Sequence, residues 1–270
     1  MQELQKFILE NEANIRLVFF LGIFFVMTVL EYIIPKRQLL LCKYKRWINN
    51  ISLVFLNTLI LRVLFPTAAI GIGFFTQDNN LGLFNYFEIS TFLTIVLCII
   101  ILDLIIYIQH RLFHTIDFFW KFHKVHHSDM DYDLTTGFRF HPIEIIISMF
   151  IKIGFIFILG APVIAVLIFE IILSTLAVFN HSNINLPKRI DAILRYIIVT
   201  PDMHRIHHSI YKKELNSNYG FNLSLWDRVF KSYTPVPKDS YTNMIIGLKD
   251  LQDENKTVSI LSMLKLPFYK

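Results

Sequence analysis

Cysteine, glycine and charge are all scarce in this chain of 270 residues, which holds 2 Cys, 9 Gly and 9 Pro. Two cysteines, Cys42 and Cys98, cannot build a disulfide scaffold, and Cys98 lies inside an apolar run, so the redox compartment is not written in them. Charged residues make up 17%, against about 25% in a typical soluble domain. Hydrophobic residues reach 54%, with 26 Phe, which excludes intrinsic disorder and argues against a soluble globule. The formal charge of +5 contains no Lys/Arg block. Nucleic-acid binding would need a basic stripe, whereas a thin basic excess suits the cytoplasmic loops of a membrane protein. Internal repeats and low-complexity segments are also lacking.

What is present is five apolar stretches: Leu17 to Ile34, Ile51 to Phe75, Phe92 to Gln109, Ile143 to Leu159 and Val163 to Phe179. The first three are long enough for a bilayer, which takes roughly 20 helical residues. The last two are shorter and meet at Gly160, Ala161 and Pro162, a turn that makes them a helical hairpin, either spanning or re-entrant. Glu10 and Glu12 precede the first stretch and no small-residue cleavage site follows it, so it is expected to remain as a span. Lys36, Arg37, Lys43, Lys45 and Arg46 follow the first stretch, while Thr76 to Thr91 holds no Lys or Arg. Because cations gather on the cytoplasmic side, the N-terminus is expected outside and everything after Phe179 inside.

One ionisable residue also sits in each stretch: Glu31, Arg62, Asp103, Lys152 and Glu170. Such groups are costly in lipid and face a partner or a cavity. Asp103, Tyr107, His110 and His114 follow a 4-3-4 spacing that puts them on one helix face.

All ten histidines fall between His110 and His208, which marks one site. H-R-L-F-H supplies His110 and His114, H-K-V-H-H supplies His123, His126 and His127, and H-R-I-H-H supplies His204, His207 and His208. In each triplet the outer pair lies one helical turn apart with the middle one beside it, so a single helix can serve two neighbouring metals. Eight imidazoles exceed what one ion accepts, and imidazole suits Fe, Zn, Cu and Ni. His181, in N-H-S-N-I, is the natural ninth; His141, before Pro142, is as well read as a structural residue. A metalloprotease would need H-E-x-x-H, but Arg111, Lys124 and Arg205 hold the second position, and a zinc finger would need nearby cysteine. Two classes remain, an oxygen-using di-metal enzyme and a metal-handling membrane protein without redox chemistry. Transporters hold their ligands near the bilayer midplane. Here the histidines gather beyond the ends of the spans, which favours an enzyme whose substrate arrives from the lipid.

Those three motifs, in order and spacing, resemble the fatty acid hydroxylase/sterol desaturase superfamily, an integral-membrane non-haem di-iron family. The resemblance runs from about Leu102 to Tyr233 and includes H-H-S-D-M-D-Y-D-L-T-T-G-F-R-F-H-P-I-E, T-P-D-M-H-R-I-H-H-S and N-Y-G-F-N-L-S-L-W-D-R-V-F. It implies O2-dependent hydroxylation or desaturation of a lipid such as a sterol or fatty acyl chain, with hydroxylation slightly favoured. It implies two iron ions held by His110, His114, His123, His126, His127, His181, His204, His207 and His208, with zinc able to replace iron in purified protein. His141 and Asp103 are candidate additional ligands or supports. No haem-binding H-P-G-G is present and G-I-G at Gly71 to Gly73 lies in an apolar span, so electrons are expected from a separate donor, a ferredoxin or cytochrome b5 with its reductase. The expected fold is all-α: an integral-membrane bundle of four or five spans under a cytoplasmic helical cap that carries the di-metal site. Residues 1–91 are expected as N-terminal spans, 92–233 as the catalytic region and 234–270 as a peripheral cytoplasmic extension. The cell (inner) membrane or the endoplasmic reticulum is the expected location.

Overall fold

A computed structural model describes residues 2–87 and 89–269. Its long helices are α1 (Gln2–Ile33), α2 (Lys43–Leu64), α3 (Ala68–Asp78), α4 (Thr91–Thr115), α6 (Pro142–Leu159) and α7 (Val163–Asn180), with α5 (Asp117–His127) between α4 and α6. Shorter helices follow: α8 (Lys188–Leu194), α9 (Pro201–His207), α10 (Lys212–Leu215), α11 (Leu225–Val229), α12 (Glu254–Thr257) and α13 (Ile260–Lys265). Among the described residues there is no strand, only isolated bridges such as Pro35 with Ile184. The chain is thus an all-α helical bundle with five candidate membrane spans.

The second span differs from the expected single helix. Pro66 lacks an N–H and stops α2 at Leu64, and α3 starts at Ala68 after three residues. Both pieces still run along α6 in order: Phe65 meets Phe150 edge-on midway, and Gly73 lies against Ala161 and Val163 at the far end. The hairpin ends as read, with Gly160 in the left-handed region at φ 63°. Its turn reaches the loop before α4, where Gly82 (φ 94°) packs so closely that a Cβ would lie 2.2 Å from the Gly160 nitrogen. The hairpin therefore runs the full depth of the bundle.

Burial separates the spans. Only 6% of the α1 window is covered, against 39% for α7, so α1 is the outer, lipid-facing helix and α7 the central one. The core between α3, α4, α6 and α7 holds Ala69, Cys98, Leu102, Ile156, Ala165 and Phe169. Of the intramembrane ionisable residues, Glu170 accepts from Lys152 at 2.6 Å and also binds Arg16, tying α1, α6 and α7 together. Glu31 accepts the backbone N–H of Leu134 at 2.7 Å and of Asn183 at 2.8 Å, fastening the end of α1 to the cap.

The C-terminal ends of α1, α4 and α7 and the N-terminal ends of α2 and α6 converge on one face, and α5, α9 and the remaining short helices cover it. The tail after Tyr233 is not peripheral. Met244, Ile246, Met263 and Leu266 are buried, and α13 packs on α2, because these apolar residues close the cap over α5.

Candidate metal centre

His110 and His114 occupy the last two turns of α4, which continues past its apolar stretch into the cap. A break at Ile116 lets α5 fold back so that His123, His126 and His127 face them. Thr200 caps α9 by accepting the Met203 N–H, with Pro201 preset at the first helical position, and this short helix carries His204 and His207. His181 ends α7. Its ring lies under Gly137, where a Cβ would come within 3.0 Å of His181 Nδ1, so any larger residue there would have to push the ring aside.

The nine rings separate into two groups whose ligand atoms lie within 4.8 Å of one another: His110, His114, His123, His127 and His207 in one, His126, His181, His204 and His208 in the other. The outer pair of each triplet stays together and the middle histidine crosses to the other group, as the spacing suggests. The groups adjoin, with His127 stacked on His208 at 4.5 Å between centroids.

Hydrogen bonds on the far side of the rings set the tautomers. Nδ1 of His110 donates to the Tyr219 carbonyl (2.8 Å), Nδ1 of His207 to that of Ser217 (2.7 Å), Nδ1 of His181 to that of Ala177 (2.8 Å), and Nδ1 of His123 to the Glu144 carboxylate (2.6 Å). Nε2 then carries a bare lone pair. Yet Nε2 of His110 and His207 face each other at 3.0 Å, and Nε2 of His181 lies 3.0 Å from that of His204 and 3.2 Å from that of His126. Facing lone pairs repel unless they share a cation. Two nitrogens about 2.1 Å from one ion at right angles stand about 3.0 Å apart, which matches. His114, His127 and His208 have both ring nitrogens buried without a partner, so the donor set fits metal ions.

Burial also holds the rings neutral, the form that ligates. It pushes His123 and His181 down to about 3, and His126, His127, His204, His207 and His208 well below the usual imidazole value, with neighbouring imidazoles adding to the effect in these five.

Two candidates lie outside both groups. Asp103 accepts from Trp226 Nε1 at 2.8 Å and from the Leu223 N–H, so it anchors a loop of the cap. His141 accepts the Ile143 N–H as the N-cap of α6 and approaches the Leu264 carbonyl. Other residues were not foreseen. Arg46, expected as a loop cation, is fully buried with bonds to Asp129 and Asp133, while Arg139 bonds Ser128, so the segment after α5 is braced from below. Burial pushes the Asp129 carboxyl up, but Arg46 and then Arg139 outweigh it and hold it at about 2. Glu144 stood in the quoted H-P-I-E, and its place three residues past His141 is the one signal that could have marked it; the Tyr219 and Ser217 carbonyls have no sequence signal.

An apolar pocket of about 200 Å³ opens inside the bundle between Ile106, Met149, Leu173 and Phe221 and ends on His110, His123 and His126, rings from both groups. On the opposite side a cleft of about 1130 Å³ in the cap has His114 and Trp120 on its floor.

Comparison with known proteins agrees with this geometry. The family model described as fatty acid hydroxylase matches residues 95–232, about half of the chain and all nine of these histidines. Ornithine lipid hydroxylase OlsE of Rhizobium tropici is 32% identical over 151 residues, 56% of this chain and 44% of the relative. Alkylglycerol monooxygenase of Xenopus tropicalis is 32% identical over 126 residues, 47% of this chain and 27% of the relative, and that of Homo sapiens is 27% identical over 129 residues. The matched part spans less than half the length of each of these relatives. No solved structure matches the chain. With the histidine motifs, the paired groups they form and the matching family model all falling on the same residues, this chain belongs to the fatty acid hydroxylase family.

Proposed function

We propose that the chain is an O2-dependent lipid hydroxylase or monooxygenase whose two iron ions are held by the nine histidines. The observation that carries this reading is the apolar pocket that ends on rings of both groups, so that a hydrocarbon chain entering from the bundle comes to rest beside both metal positions. Iron at these positions supplies the O2 and C–H chemistry that no side chain performs alone. The protein does the rest. Ile106, Met149 and Leu173 exclude water from the chain, and Glu144 keeps the His123 proton on Nδ1 so that Nε2 faces the metal. Gln109 and Ser148, bonded at 2.5 Å, give the pocket wall one polar point against which a lipid can be registered.

Electrons come from an external donor such as a ferredoxin or cytochrome b5 with its reductase, docking over the cap cleft. Its walls carry Lys124, Lys212, Lys249 and Lys256 against Asp117 and Asp250, and the Trp120 ring lies 5.0 Å from that of His114 at a tilt of 47°. Arg205 and Arg195 are not part of this surface, since Arg205 is buried against Asp202 and Arg195 against Asp191. An acidic carrier is steered to such a cleft at a rate that falls with salt.

The metal site faces the cytoplasm, because Lys188, Arg189, Lys212 and Lys213 are exposed on the cap while the loop at the other end bears no Lys or Arg. Cysteines introduced as Asn79→Cys and Lys212→Cys are expected to react with an impermeant reagent from opposite faces of sealed vesicles; reaction from one face would overturn the orientation.

The direct test is lipid mass spectrometry of cells with and without the protein. A gain of one oxygen atom in a lipid class is expected; loss of two hydrogens would indicate desaturation instead. Metal flux across vesicles with no lipid oxidised would favour the metal-handling alternative.

A further inference from the structure

Large apolar side chains are exposed on the cap, outside the five spans themselves. Ile190, Ile193, Tyr196 and Ile197 lie on α8 and just after it, and Leu225, Val229 and Phe230 on and after α11; Ile193 is 66% and Val229 55% exposed. Soluble surfaces rarely gather such a patch without a use.

The depth of this patch says what covers it. Asp103 of α4 holds Leu223 and Trp226, and Tyr107 stacks on Phe230 at 5.2 Å and bonds Ser232 at 2.7 Å. The apolar stretch of α4 ends at Gln109, and Asp103 lies six residues before it, about 9 Å deeper at 1.5 Å per residue. α11 thus lies beside the apolar part of a membrane span. α8 shares this level, since the Ser224 N–H donates to Ile197, and the Ser224 hydroxyl and Arg228 both donate to the Arg195 carbonyl.

The polar groups in these segments turn inward. Asp191 pairs with Arg195, Asp227 accepts from Tyr219, Gly220 and Ser232, and the Arg228 guanidinium lies 4.3 Å over Tyr233. Lys188, Arg189 and Lys231 remain exposed at the edge, where phosphate headgroups would lie.

We propose that α8 and α11 are inserted into the lipid leaflet on the metal-bearing side, as a non-spanning wedge continuous with the lipid-facing surface of α4. A wedge about 9 Å below the polar end of a span fits the 5–10 Å by which interfacial helices sink. The inference goes beyond the oxidation chemistry and depends only on α4 crossing the membrane.

The test reads depth in the full chain, reconstituted in nanodiscs of phosphatidylcholine and phosphatidylglycerol. Ile193→Cys and Val229→Cys, each with Cys42→Ser, are labelled with a nitrobenzoxadiazole probe; Phe55→Cys, exposed on α2, serves as the lipid reference and Lys212→Cys as the aqueous one. The wedge positions should behave as Phe55 does, quenched by nitroxides on the upper acyl chain and shielded from iodide. Iodide quenching equal to that at Lys212 would overturn the insertion. Shielding from both quenchers would also overturn it, since a protein partner would then cover the patch. Because no turnover is measured, failure of the enzymatic reading leaves this result standing.

Discussion

His127→Ala is expected to abolish lipid oxidation, by more than about 100-fold, since even outer-shell partners of a metal ligand are worth 10–100-fold. Its two ring nitrogens are buried without a partner, and its ring lies 4.7 Å from His114, 4.6 Å from His207 and 4.5 Å from His208, in the middle of the double site. Bound iron should fall with activity when both are measured on protein that still elutes as a folded species. His141→Ala is the control: it loses the α6 cap but should retain its metal. Full metal content and turnover in the His127 variant would refute the ligand assignment.

The second large effect is on stability. Arg46→Ala would leave Asp133 buried without its guanidinium partner and Asp129 with only Arg139 at 3.9 Å, a loss of about 3–5 kcal/mol for a broken buried pair. At about 2–4 °C per kcal/mol, that is a drop of roughly 6–20 °C in the unfolding temperature. Lys45→Ala, one residue away, removes only an exposed pair with Glu254 and should leave the unfolding temperature nearly unchanged. Equal effects of the two substitutions in thermal scans of detergent-solubilised protein would show that the buried network does not brace the cap.

That contrast also marks where sequence reasoning reached its limit. Lys45 and Arg46 are adjacent cations after an apolar stretch, and only the fold shows that one meets water and the other two carboxylates from a loop more than 80 positions away. The gathering of the nine histidines into two adjoining groups followed from their 3- and 4-residue spacing, which maps directly onto one helix face. Asp103 follows the same spacing. It shares that face, but it sits two to three turns deeper than the rings, where Trp226 finds it first. The hairpin turn at Gly160 and the break at Pro66 carry local signals, whereas the passage of both α2 and α3 along α6 depends on Phe150 and Gly73 contacts that no local signal carries.

The crossing of the middle histidine in each triplet has a consequence for how the site fills. α5 gives His123 and His127 to one group and His126 to the other, and α9 gives His204 and His208 to the second and His207 to the first. An ion at either position would take ligands from α5 and α9 together, so a substitution that shifts either helix is expected to weaken both positions at once.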